Sequence, residues 1–244
     1  MATKKELVEL NPVDLQYFKV KVVGDTPLIM HAWSAKAKRE ILEKELGITK
    51  PKKREPKNPI EDFASSMYWL TKMPDEMDKK HVRAALNSGD ARFGFPVTAF
   101  KEAAVSAAYR NGISKDKVSL QGVFFINADK DGYYGGDLVA DFENKKIDII
   151  PNTFMLMDMV EIHSDIPVMR EDLVKVGMGS PDLRYRGQFN NWWVELTIGY
   201  NTSAGKDVNY IVNLINLGGF SCGIGEWRME KGGSYGRYHV ETIG

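Results

Sequence analysis

The chain has 244 residues, 43% of them hydrophobic, and its 33 Lys and Arg are balanced by 33 Asp and Glu. That is enough for a sizeable core in one large domain or two small ones, and zero net charge excludes a global field for polyanions, so any nucleic-acid site is a local patch. One cysteine, Cys222, excludes an internal disulfide, four scattered histidines argue against structural zinc, and no run reaches the roughly 18 apolar residues of a membrane span or forms an apolar leader, so the expectation is a cytoplasmic protein without metal or cofactor.

Leu15 to Val23 alternates, with Phe18, Val20 and Val22 on one face, and reads as a strand. Gly24-Asp25-Thr26-Pro27 turns the chain, and after Leu28-Ile29-Met30 Ser34 is an N-cap for a helix from Ala35 to about Leu46, stopped by Gly47. Thr49 to Pro59 sets three prolines among lysines at the centre of the most basic window, and predicts an exposed insertion near 47–60. Ile60, Phe63, Ala64, Met67 and Leu70 carry a helical stripe through Ile60 to Met73. The clearest helix is Phe95 to Gly112, with Thr98 as its cap, alanines through the middle and Asn111-Gly112 at the end.

Val118 to Ile126 and Lys146 to Ile150 read as strands around a turn region at Asp129 to Asp137 with Gly132, Gly135 and Gly136. Pro151 to Met159 holds Phe154, Leu156 and Met157 in an apolar cluster, expected as core with an oligomer contact as the alternative. Met169 to Phe189 presents Arg170, Lys175, a flexible Gly177-Met178-Gly179 corner, Arg184, Arg186 and Gln188, with Tyr185 and Phe189 nearby. That mixture suits phosphate contact with base stacking, and its plain alternative is a structural arginine pair bonded to Asp172 or Asp182. Trp192 to Tyr200 alternates as a half-buried strand, and Asp207 caps a helix from Val208 to Leu217 that Gly218-Gly219 stops. The last segment, Gly223 to Val240, puts five glycines, three cations and three aromatics into eighteen residues. Bare backbone N–H groups beside Arg and aromatic side chains can receive a phosphate or a stacked base, and a glycine-adapted hairpin is the bland alternative.

Three of these segments, in order, resemble the RAMP superfamily of CRISPR-associated proteins, in particular the repeated backbone subunit that coats guide RNA. Phe18 to Leu28 resembles the family's first strand and its Gly-x-Thr-Pro-Leu corner. Phe95 to Ala103 is similar to its Ile-Pro-Gly-Ser-Ser-Leu-Lys-Gly-Ala lead-in to the first conserved helix, with Glu102 in place of a small residue. Gly223 to Val240 is similar to its C-terminal glycine-rich loop and final strand, with Glu226 and Glu230 placing carboxylates inside the loop. The resemblance implies an α+β fold: a ferredoxin-like, RRM-like core with an antiparallel sheet, helices on one face and long insertions. It implies a single domain over 1–244, with the basic insertion near 47–60 and an inserted arm near 151–190, in a phage or mobile-element relative.

The resulting expectation is non-catalytic binding of single-stranded RNA or DNA, RNA favoured, by a homo-oligomer along the strand. Its candidate residues are Lys101, Arg170, Lys175, Arg184, Arg186, Trp227, Arg228, Lys231, Tyr235 and Arg237. Lys101 enters because a cation at a helix start would share a phosphate with unpaired N–H groups. The rival reading is a self-assembling or protein-docking module whose loop acids make inter-subunit salt bridges. Two others are capture of a small nucleotide signal and RNA cleavage using His31 or Asp25; no Ser-His-Asp, His-x-x-x-His or paired-carboxylate motif is present.

Overall fold

The computed structural model describes residues 13–48, 56–176 and 180–243. Alternation sets β1 (Leu15–Gly24), which buries Phe18, Val20 and Val22. The Asp25-Thr26 corner leads to the two-residue β2 (Leu28–Ile29), and Ser34 accepts from the Ala37 N–H to open α1 (Ala35–Glu45). The centre of the basic window, 49–55, lies outside the described residues. The helix expected over Ile60–Met73 is cut to α2 (Pro59–Ser65). Side chains close its end: the Ser66 hydroxyl donates to Phe63 O at 2.7 Å and Trp69 Nε1 to Ala64 O at 2.8 Å, taking carbonyls that a further turn would use. Met67 and Trp69 are core all the same. Asp78 accepts from the His81 N–H and opens α3 (Lys79–Asn87).

Strand β3 (Phe93–Pro96) runs directly into α4 (Val97–Arg110). Thr98 does not cap this helix; Pro96 holds the cap position and makes no side-chain hydrogen bond there. The strand expected over Val118–Ile126 begins as a one-turn helix, α5 (Val118–Gln121), because Asp116 Oδ1 accepts from the Ser119 N–H at 2.7 Å, and only β4 (Phe124–Asn127) is extended. The glycines expected to turn at 129–137 lie instead inside β5 (Lys130–Asp141), paired along β6 (Lys146–Ile162) as a long hairpin. The register shifts at Lys130/Gly132 and Gly135/Asp137, and a Cβ at Gly132 would stand 2.1 Å from Met155 O, so the glycines make bulges. On β6, Met159 and Val160 are buried, but Phe154, Leu156 and Met157 are exposed, Leu156 at 83%, so this apolar cluster is not simply core.

A second hairpin joins β7 (Val168–Val176) and β8 (Ser180–Phe189); the Gly177-Met178-Gly179 corner lies outside the described residues. Then β9 (Trp193–Asn201) buries Val194, Leu196 and Ile198, and Asp207 accepts from the Tyr210 N–H to open α6 (Val208–Ser221). Gly218 and Gly219 do not stop α6. They thin its wall where it meets α4 and the last strand, β10 (Tyr238–Ile243): a Cβ at Gly218 would lie 2.7 Å from Ala104 N, and one at Gly219 2.0 Å from Tyr238 O.

Helices and antiparallel strands together make an α+β fold. The central sheet orders β10-β1-β9-β4, all antiparallel, with α4 falling between β1 and β4 in the chain and α6 between β9 and β10. Phe100 and Val105 of α4 and Ile211 and Leu214 of α6 join Val20, Leu196 and Ile198 in one core. Two three-stranded sheets, β2-β8-β7 and β3-β6-β5, complete the architecture.

Candidate nucleic-acid interface

Between α6 and β10 the glycine-rich segment is a stitched loop. Ile224 N–H donates to Gly236 O (2.9 Å), Glu226 N–H to Ile29 O (2.9 Å), Tyr235 N–H to Trp227 O (3.0 Å) and Gly236 N–H to Pro27 O (2.9 Å), which ties the loop to the β1–β2 corner. At its centre Trp227 has φ +53°, a left-handed conformation costly for a bulky residue, and stays 38% exposed. Gly233 makes this possible, since a Cβ there would fall 1.7 Å from Trp227 O. The loop thus folds around a tryptophan that it holds out to solvent.

Two ion pairs and one arginine–tyrosine contact anchor the loop to three other elements. Glu230 accepts from Arg228 Nε (3.1 Å) and from Arg110 Nη2 of α4 (3.2 Å). Glu226 faces His31 Nδ1 at 3.4 Å and Arg186 Nη2 of β8 at 3.6 Å. Tyr235 accepts from Arg170 Nη1 of β7 at 3.0 Å, and the Arg170 guanidinium stacks 4.6 Å from its ring centroid. Asp172, buried, joins the arginines, accepting from Arg170 Nε (2.7 Å) and Arg186 Nη1 (3.2 Å). Beneath the loop, against the first turns of α4, opens a cavity of 490 Å³ whose walls include His31, Tyr68, Phe95, Glu102, Glu226 and Arg228.

The structure therefore sorts the candidate residues. Arg170, Arg186, Arg228 and Tyr235 come together in one network, but Arg186 is 5% exposed and serves the Asp172 and Glu226 carboxylates, so it is a structural arginine and not a surface contact. Arg184 sits apart, bonded to Asp182 at 2.9 Å, which also takes Lys57. Lys101 points away from the loop: its Nζ donates to Gln121 O at 2.7 Å, 5.9 Å from the Phe124 ring centroid. Arg237 is half-buried, with its backbone N–H on Thr26 Oγ1 (2.9 Å) and its Nε without a hydrogen-bond partner among the described residues. Trp227, Lys231 and Lys175 are exposed. His31 and Asp25, the residues of the cleavage reading, are each paired separately, His31 with Glu226 and Asp25 with His239 at 2.6 Å. The plain alternative for the arginine pair holds, with Arg186 on Asp172 and Arg184 on Asp182; Tyr68 and Arg110 escaped the sequence reading because nothing local marks them, and chain-distant contacts bring them here.

Three carboxylates in this region are held below their ordinary range. At Glu226 the main cause is the His31 hydrogen bond, with Arg186 adding to it, and at Asp182 it is the Lys57 ammonium. At Glu230 burial pushes the other way, and Arg228 with Arg110 outweighs it. A carboxylate lowered in the folded chain stabilises fully above its unfolded pKa and loses that contribution as pH falls through the folded value. The urea midpoint is accordingly expected to hold from neutrality to about pH 5 and to fall below about pH 4.5, as unfolding curves at graded pH would show.

No protein-family model and no curated protein matches the sequence. Solved structures similar to it include two at low sequence identity. One is a chain of Type III-B Cmr-beta, solved bound to cognate target RNA: identity is 8%, the TM-score 0.41, and the match covers 94% of this chain and 60% of that one. Another is Cmr6 from Pyrococcus furiosus, at 10% identity and TM-score 0.39, covering 94% of this chain and 100% of that one. Among the described residues no helix is long and apolar enough to cross a membrane.

Proposed function

We propose that this chain is a RAMP-like protein with a ferredoxin-like core, and that its terminal loop and the β7–β8 hairpin hold single-stranded RNA without cleaving it. The β-α-β-β-α-β order of β1, α4, β4, β9, α6 and β10 and the antiparallel sheet order support the core. The observation that carries the ligand is Trp227, a strained, exposed indole in the loop that also carries Lys231, its backbone bonded to Tyr235 of the Arg170–Tyr235 stack. Strain at an exposed aromatic points to use, and an exposed ring near cations suits an unpaired base and its phosphate. The neutral total charge fits a short local contact better than a long basic track.

The test is fluorescence anisotropy with labelled 20-nucleotide RNA, DNA and duplex across a salt series. Trp227→Ala is expected to weaken single-strand binding by about 1–3 kcal/mol, and Lys231→Ala to lower the salt slope by about one. No binding of any single strand at 50 mM salt would end this reading. Gel analysis of end-labelled RNA after incubation, with and without divalent metal, checks that the strand is left intact.

A second reading, assembly without nucleic acid, is favoured by the β6 surface, where Leu156 and Phe154 are exposed beside Met157. We propose that copies also assemble along the strand, and that this same surface joins neighbouring copies. Leu156→Asp is expected to shift the mass seen by light scattering toward the monomer, with the melting temperature unchanged; an unchanged mass would remove this surface from the assembly.

A further inference from the structure

Carboxylates are poor company for phosphate, yet Glu226 opens onto the cavity beneath the loop. It is 39% exposed and its contacts are loose, 3.4 Å to His31 and 3.6 Å to Arg186, so both oxygens keep acceptor capacity toward the cavity. Tyr68, on the same cavity, is wedged edge-to-face against Phe95 (6.0 Å between centroids) and Tyr133 (5.0 Å). Its hydroxyl makes no hydrogen bond among the described residues, and burial pushes its pKa up to about 12, so it is a donor at neutral pH. The cavity thus offers a pair of acceptor oxygens, one free hydroxyl donor and aromatic walls within 490 Å³.

Resting on the RNA reading, we infer that this cavity receives the Watson–Crick edge of a guanine splayed from the bound strand. Guanine is the standard base with two adjacent N–H donors, N1–H and N2–H2, beside an acceptor, O6. A carboxylate takes two parallel N–H groups as it does from arginine, and the Tyr68 hydroxyl then meets O6. Uracil and adenine would turn carbonyl or ring-nitrogen acceptors toward Glu226, leaving like groups face to face. An arginine from a partner protein presents the same paired donors, but it brings a charge to a place already supplied. Glu226 faces Arg186, Glu230 is held by Arg110 and Arg228, and Lys117 also borders the cavity. A neutral base meets no such repulsion. Glu226 becomes a base reader and Glu230 an anchor for Arg110 and Arg228, which accounts for carboxylates in a strand-binding loop.

The test compares the full chain's affinity for a uridine 20-mer with that for the same oligomer carrying one central guanosine, and separately titrates guanosine, uridine and N-acetyl-arginine amide by calorimetry. The guanosine oligomer is expected to bind roughly tenfold tighter or more, as good base-edge pairs do. Inosine, which lacks the 2-amino group, is expected to lose most of that gain. Glu226→Gln is expected to erase the preference, and Tyr68→Phe, which removes only an oxygen, to cut it by about three- to tenfold in a protein melting like the parent. Equal affinity for the two oligomers, or a preference that survives both substitutions, overturns the guanine site while leaving RNA binding in place. Free guanosine binding that depends on Glu226 without any binding of oligomers sustains the guanine site and rejects the strand reading. Binding of the arginine amide in place of guanosine, or of none of these ligands, rejects the guanine site.

Discussion

Asp172→Ala is expected to destabilise the protein by about 3–5 kcal/mol in urea unfolding, the cost of stranding a buried charge. Asp172 is 6% exposed and is the acceptor on which Arg170 and Arg186 converge, at 2.7 and 3.2 Å. Without it Arg186 retains, among the described residues, the 3.6 Å contact to Glu226, and its Nε already lacks a hydrogen-bond partner there. Substituting Arg186 by Met together with Asp172→Ala removes charge and countercharge at once, and is expected to recover a large part of the loss. Equal destabilisation by the single and double variants would mean that Asp172 acts by packing and not by charge.

Gly219→Ala is expected to cost about 3 kcal/mol or more, the upper range of overpacking. Its sign is the diagnostic feature, because alanine inside a helix ordinarily stabilises by roughly 0.5–1 kcal/mol over glycine. The new Cβ would meet a backbone oxygen, Tyr238 O at 2.0 Å, which belongs to an edge strand of the central sheet and cannot rotate aside as a side chain would. Gly122→Ala is the control: Gly122 has φ −89° and nothing within 4 Å of an added Cβ, so the change is expected to lie within about 0.5 kcal/mol of the parent. Thermal melts of both variants decide the matter, and similar melting points would overturn the close-packing account of α6.

The glycine pair at 218–219 also shows what a local reading of sequence misses. A helix stop and a helix contact use the same residue, and only the neighbouring element, here α4 with β10, tells them apart. Alternation at Phe18, Val20 and Val22 and caps at Ser34 and Asp207 were legible because their causes lie within a few residues. The C-terminal end of α2 and the start of α5 were not, since Ser66, Trp69 and Asp116 redirect backbone bonds against the apolar period. The site divides the same way. The glycine loop and its aromatics were visible, whereas Arg184 and Arg186 share one strand parity and differ only in the surroundings that β7 and the loop supply. Tyr68, Phe95 and Glu226 meet in one cavity from three distant parts of the chain.

The stitched loop has a consequence for how motion is distributed through the molecule. Its amides at Ile224, Glu226, Tyr235 and Gly236 bond to carbonyls within the loop and at the β1–β2 corner, while its carboxylates clamp onto α4 and β8 and Tyr235 holds Arg170 of β7. A segment rich in glycine would ordinarily exchange its amide protons quickly and lose much conformational entropy on meeting a ligand. This one is bonded to the corner that follows β1, a strand paired on both sides, so its amides are expected to exchange in step with those of β1, and a ligand should find the loop already in its bound shape.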